Sequence, residues 1–144
     1  ISSTFWTERI GPTAAIATLE EMEQTKSGEH VRRTGENLKA KWQLLAAKHS
    51  LPIKQWGLPG LQGFTFDMEG PDVLKTLTTQ EMLRQGYLAN NTVYVSTAHT
   101  PEIIAEYLEA LEIAFETVAK CSNKKDALDL LNGPVCHSGF KRLN

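Results

Sequence analysis

Residues 2–12, Ser-Ser-Thr-Phe-Trp-Thr-Glu-Arg-Ile-Gly-Pro, place the hydroxyls of Ser2, Ser3, Thr4 and Thr7 ahead of an alanine-rich stretch, Thr13 to Leu19. Hydroxyls and free backbone N–H groups before a helix are what a phosphate or carboxylate seeks. A coil leading into the first helix is the simpler account of the same residues on physical grounds alone. The segment is therefore a candidate anion site, and the rest of the chain must say whether it is more.

Elsewhere the inventory for chemistry is sparse. No glycine-rich phosphate loop, Gly-x-Ser-x-Gly turn or His-Glu-x-x-His pair occurs. His30, His49, His99 and His137 stand at no metal-ligand spacing, and the adjacent Cys136 and His137 have poor geometry for one zinc. His30, Arg32 and Arg33 are expected to form a solvated helix face. Asp67 and Glu69 alternate as a solvated strand edge would, rather than as an acid/base pair. Cys121 and Cys136, 15 positions apart, form no Cys-x-x-Cys pair and no disulfide framework, so both are expected to be reduced thiols of a cytoplasmic protein.

The 144 residues suit one domain with a real core, being 41% hydrophobic and 22% charged. A net charge of −2 argues against a nucleic-acid binder or a polybasic membrane-surface protein. No apolar run approaches the roughly 18–20 residues of a membrane helix. The chain opens on Ile1 without Met and without a signal pattern, as a fragment, a processed product or a tag-cleaved product would.

The elements that must carry these residues can be read from periodicity. Pro12 suits a first helical turn, Ile16, Leu19 and Met22 share one face, and Ser27-Gly28 should end that helix. Val31, Leu38, Trp42 and Leu45 stripe a second helix that Leu51-Pro52 closes. Residues 53–57 and 63–68 read as two strands, with Phe64, Phe66 and Met68 on one face. Gly70-Pro71-Asp72 starts a helix bearing Val73, Leu74, Leu77 and Met82, and Gly86 sits where a helix ends. Tyr87-Leu88 and residues 93–96 read as two further short strands. Thr100, Pro101 and Glu102 open the clearest helix, whose stripe is Ile104, Leu108, Leu111, Phe115 and Val118. A short helix over 123–131 and a polar tail follow. The sum is an α+β domain: a small, largely antiparallel sheet of three to four strands packed with helices on one side.

Two stretches carry a resemblance. Residues 3–19, Ser-Thr-Phe-Trp-Thr-Glu-Arg-Ile-Gly-Pro-Thr-Ala-Ala-Ile-Ala-Thr-Leu, and residues 93–102, Val-Tyr-Val-Ser-Thr-Ala-His-Thr-Pro-Glu, resemble segments of class III pyridoxal-phosphate-dependent aminotransferases. The branch most resembled is that of glutamate-1-semialdehyde 2,1-aminomutase. The likeness runs through about Val118, and the tail after Cys121 carries no recognisable signal. It implies the C-terminal small domain of a fold-type-I enzyme that uses pyridoxal 5'-phosphate. Residues 1–11 would then lead from the large domain, 12–121 would be the small domain, and 122–144 a C-terminal helix and tail. It further implies a homodimer with interfacial active sites, in which Ser3 and Thr4 hold the cofactor phosphate of the partner subunit. A neutral hydroxyl with two N–H donors can hold a dianion without a local cation.

The resemblance also sets limits. The family's Schiff-base lysine lies upstream of the Thr4 motif, so this polypeptide alone is expected not to catalyse amino-group transfer. Lys26, Lys39 and Lys54 read as surface charges. Tyr94 falls near the place where many class III enzymes put an arginine for the substrate carboxylate, which fits the aminomutase-like branch better. His99 is expected to be a turn residue bonded to backbone. The rival expectation is a stand-alone α+β interaction or assembly module anchored on Trp6, Trp56 and Phe64.

Overall fold

The computed structural model describes residues 8–137. Among these residues eight elements follow one another: α1 (Ile10–Thr25), α2 (Ser27–Lys48), β1 (Ile53–Leu58), β2 (Leu61–Phe66), α3 (Pro71–Arg84), β3 (Thr92–Tyr94), α4 (Pro101–Ala119) and α5 (Lys124–Asp129).

α1 starts before Pro12, because the Glu8 carboxylate accepts the N–H groups of Ile10 (3.1 Å) and Gly11 (2.6 Å). Those amides have no intrahelical partner, and Glu8 satisfies them. Ser27-Gly28 does not end a helix as expected; it opens α2. The break is the single residue Lys26, at φ 51° and ψ 39°, whose carbonyl accepts from Glu29 and His30. One left-handed residue is enough to redirect the chain. The stripe Ile16, Leu19 and Met22 is exposed, and no described residue of α1 is buried.

The sheet is antiparallel with order β1-β2-β3 and register Ile53↔Phe66, Trp56↔Gly63 and Leu61↔Tyr94. The expected strand at Tyr87-Leu88 is absent. The Tyr87 N–H is already spent on the Met82 carbonyl (2.9 Å) and Gly86 N–H on Leu83 (2.9 Å), closing α3 around Gly86 at φ 86°. That double bond pattern is a Schellman helix end. β2 also stops at Phe66, so Met68 leaves the strand and is partly exposed.

The face of β2 carrying Gln62, Phe64 and Phe66 meets the helices. Phe64 is the hub: its ring stands edge-on to Trp42 of α2 (5.2 Å), to Phe66 (5.6 Å) and to Phe115 of α4 (5.7 Å). Leu38, Leu77, Met82 and Leu111 complete a core from α2, α3 and α4. Phe64 therefore cannot be a contact anchor, because it is fully buried. Trp56, on the other face, remains 43% exposed and lies over Gly63, where a Cβ would come within 2.4 Å of the indole.

Candidate functional site

α2, β3, the loop before β3 and the start of α4 enclose a cleft of about 350 Å³. Its floor is Leu38, Ile104 and Tyr107, and its rim is Leu88, Tyr94 and Ile103. The floor is buried, whereas Leu88 and Tyr94 are largely exposed. An apolar hollow with a few polar groups is the usual form of an organic-ligand site.

Each wall has a local cause. Asn91 pins the loop before β3: its Nδ2 donates to the Phe64 carbonyl (2.6 Å), and its own carbonyl accepts from Phe64 N–H (3.0 Å). The Asn90 side chain accepts from Thr92 N–H at 2.7 Å, turning the chain into β3. Thr100 accepts from Ile103 N–H (3.4 Å) and caps α4, as its sequence context predicts. The Thr100 hydroxyl also holds the Glu102 carboxyl below its ordinary range.

The polar groups are few and fixed. Ser96 N–H donates to His99 Nδ1 at 2.9 Å, while His99 N–H donates to the Ser96 carbonyl at 3.1 Å. His99 is thus the backbone-bonded turn residue that the sequence suggests. With Nδ1 accepting, the neutral ring carries its proton on Nε2. Tyr107 stands 70° to Tyr87 with centroids 6.4 Å apart, and its hydroxyl accepts from the Trp42 indole. Burial pushes the Tyr107 phenol well above its ordinary value, so it serves as a neutral group. No lysine or arginine lines the cleft among the described residues. Imidazole, phenols and the Thr92 hydroxyl suit a neutral organic moiety, and a phosphate dianion finds no charge partner here.

The sequence-predicted cofactor residues Ser3 and Thr4, and the aromatic Trp6, lie outside the described residues. Tyr94 does stand on the cleft rim, with no arginine among its neighbours in the lining. Asp67 is solvated and pairs with Lys54 (2.7 Å); Arg32 pairs with Glu36 along the exposed face of α2 (3.0 Å). Tyr87 and Tyr107 escaped the sequence reading. Tyr107 was detectable, since it falls between Ile104 and Leu111 on the buried stripe of α4. The strand expected at Tyr87-Leu88 hid the place of Tyr87 at the end of α3, where it joins the cleft lining.

No known family profile matches the chain. It is 28% identical over 123 residues to an aminopentol aminotransferase of Sphingopyxis macrogoltabida, covering 83% of this chain and 29% of that protein. It is 28% identical over 114 residues to a 2'-deamino-2'-hydroxyneamine transaminase of Streptomyces kanamyceticus, covering 76% of this chain and 29% of that one. The FumI protein of Sphingopyxis sp. MTA144, solved in its PLP internal aldimine form, superposes with a TM-score of 0.70 at 27% identity. That match covers 82% of this chain and 29% of FumI. The chain thus spans under a third of the length of these relatives. Its curated relatives are aminotransferases, and the solved one, a pyridoxal-phosphate protein, shares its α+β fold.

Proposed function

We propose that this chain is the small domain of a pyridoxal-phosphate-dependent aminotransferase, covering the substrate side of the active site. The carrying observation is the FumI superposition over 82% of the chain together with an apolar, cation-free cleft. When bound, pyridoxal phosphate supplies the carrier on which an amino group leaves one compound and joins another. The cleft does not fit the cofactor's phosphate, so that anchor belongs elsewhere. Ser3 and Thr4 are its best candidates, holding the phosphate of a second subunit in a cytoplasmic homodimer through a hydroxyl and backbone N–H groups. The lysine that binds the cofactor belongs to the rest of the parent, so this polypeptide by itself should exchange no amino group.

The finer reading is an enzyme of the glutamate-1-semialdehyde aminomutase type. It is supported by the motif around Ser96 and His99 and by the tyrosine, rather than arginine, at position 94. In this reading residues 1–11 lead in from the large domain, 12–121 form the small domain and 122–144 a terminal helix and tail. The exposed stripe of α1 then packs against the remainder of the parent.

Cofactor retention tests the assignment. Thr4→Val in the full-length parent removes one phosphate hydrogen bond and should weaken binding by about 1–3 kcal/mol, read as pyridoxal phosphate lost on dialysis. Unchanged retention removes Thr4 from the site. Amino-group exchange by the isolated 144-residue chain would remove the domain assignment itself.

A further inference from the structure

His49, the residue that closes α2, meets α4 at a point that does not line the cleft. Its side chain is only 12% exposed, and Nε2 is sealed from solvent without a hydrogen-bond partner. Glu112 Oε1 lies 3.7 Å from that nitrogen, too far for a hydrogen bond. Glu116 follows Glu112 by four residues, so both carboxylates project from the same face of α4. One ligand atom from each of the three residues falls within 4.8 Å of the others.

We propose that His49, Glu112 and Glu116 form a zinc-type divalent-cation site that ties the end of α2 to α4. One imidazole and two carboxylates make the borderline nitrogen/oxygen set that suits zinc, whereas magnesium and calcium prefer oxygen alone. Zinc bonds of roughly 2.0–2.2 Å bring tetrahedral donors to about 3.3–3.5 Å from one another. The present spread is wider than that, and the side chains that must turn to close it, Glu116 and Glu112, are exposed and half-exposed. Water takes the remaining coordination position. Lys48 is the competitor: its ammonium bonds Glu112, but it is 63% exposed and free to swing into solvent as the metal neutralises the carboxylate. The site asks nothing of the cofactor reading, so the two stand or fall separately.

Zinc titration of the 144-residue chain, followed calorimetrically and by competition with a chromogenic chelator, tests it. One equivalent should bind, with magnesium giving no heat. Glu116→Gln, at an exposed position that leaves the fold intact, should weaken zinc binding by roughly tenfold or more. His49→Ala should abolish it, and Lys48→Met should tighten it by removing the competing cation. Zinc should also perturb the His49 ring resonances before those of His30, His99 or His137. No binding at micromolar zinc would overturn the proposal. So would full affinity in Glu116→Gln, or binding that disappears with His137 or Cys136 instead.

Discussion

The Trp42 indole N–H donates to the Tyr107 hydroxyl across 3.1 Å in the buried seam between α2 and α4. This bond links the hydrophobic core to the cleft, because Trp42 packs on Phe64 while Tyr107 forms the cleft floor. Tyr107→Phe keeps the ring and removes the one group that, among the described residues, satisfies the indole. A buried donor left alone costs about 1–3 kcal/mol. Denaturant unfolding should show that loss with an unchanged slope.

The same bond predicts an alkaline effect. Burial raises the Tyr107 phenol above its ordinary 10.0, with the indole donor pulling more weakly the other way. Above about pH 10 the unfolded chain releases this proton while the folded chain keeps it, so stability falls as pH rises. Tyr107→Phe has no such proton. Its stability deficit should therefore be full near pH 8 and narrow as pH climbs past about 10. A deficit that stays constant over that range would contradict the assignment.

Two glycines of α2 should respond oppositely to alanine. A Cβ at Gly28 meets nothing within 4 Å, so Gly28→Ala should stabilise the helix by up to about 0.5–1 kcal/mol. At Gly35 a Cβ would lie 2.1 Å from the Pro59 carbonyl oxygen, where the β1–β2 turn presses on α2. The Gly35 carbonyl also accepts from Gln62 Nε2 at 2.7 Å. Gly35→Ala should cost roughly 1–3 kcal/mol by overpacking. Thermal unfolding midpoints of the two variants should move in opposite directions.

The two thiols should separate kinetically. Burial, with the Asp126 charge beside it, raises the Cys121 thiol, and its Sγ is turned to the Thr117 carbonyl (3.6 Å). Cys136 is only half-buried. Disulfide-exchange reagents need an accessible thiolate, so Cys136 should react first and Cys121 only on opening of the fold. Mass mapping after brief labelling at neutral pH reads the order directly. Equal rates would mean that α5 leaves Cys121 open.

Much was legible before any coordinates. The stripe of α4, the capping run Thr100-Pro101, the two hairpin strands and the glycine closing α3 all follow from local rules, because their causes lie within a few residues. The motif at 93–102 likewise pointed to the stretch that walls the cleft. The misses were those in which a non-local or single-residue event prevailed. Lys26 breaks the helix in a left-handed conformation without glycine, and Tyr87 spends its N–H on α3 rather than on a strand. Phe64 looked like an anchor because alternation alone cannot say which strand face meets α2 and α4. The sequence by itself determined an α+β unit, its helix boundaries to within a few residues, and the resemblance that names a cofactor. Only the tertiary structure decided that Tyr87, His99 and Tyr107 meet in one cleft, and that His49 faces Glu112 and Glu116 across two helices. Those pairings join residues 8 to 67 positions apart, and packing, not local periodicity, sets such distances.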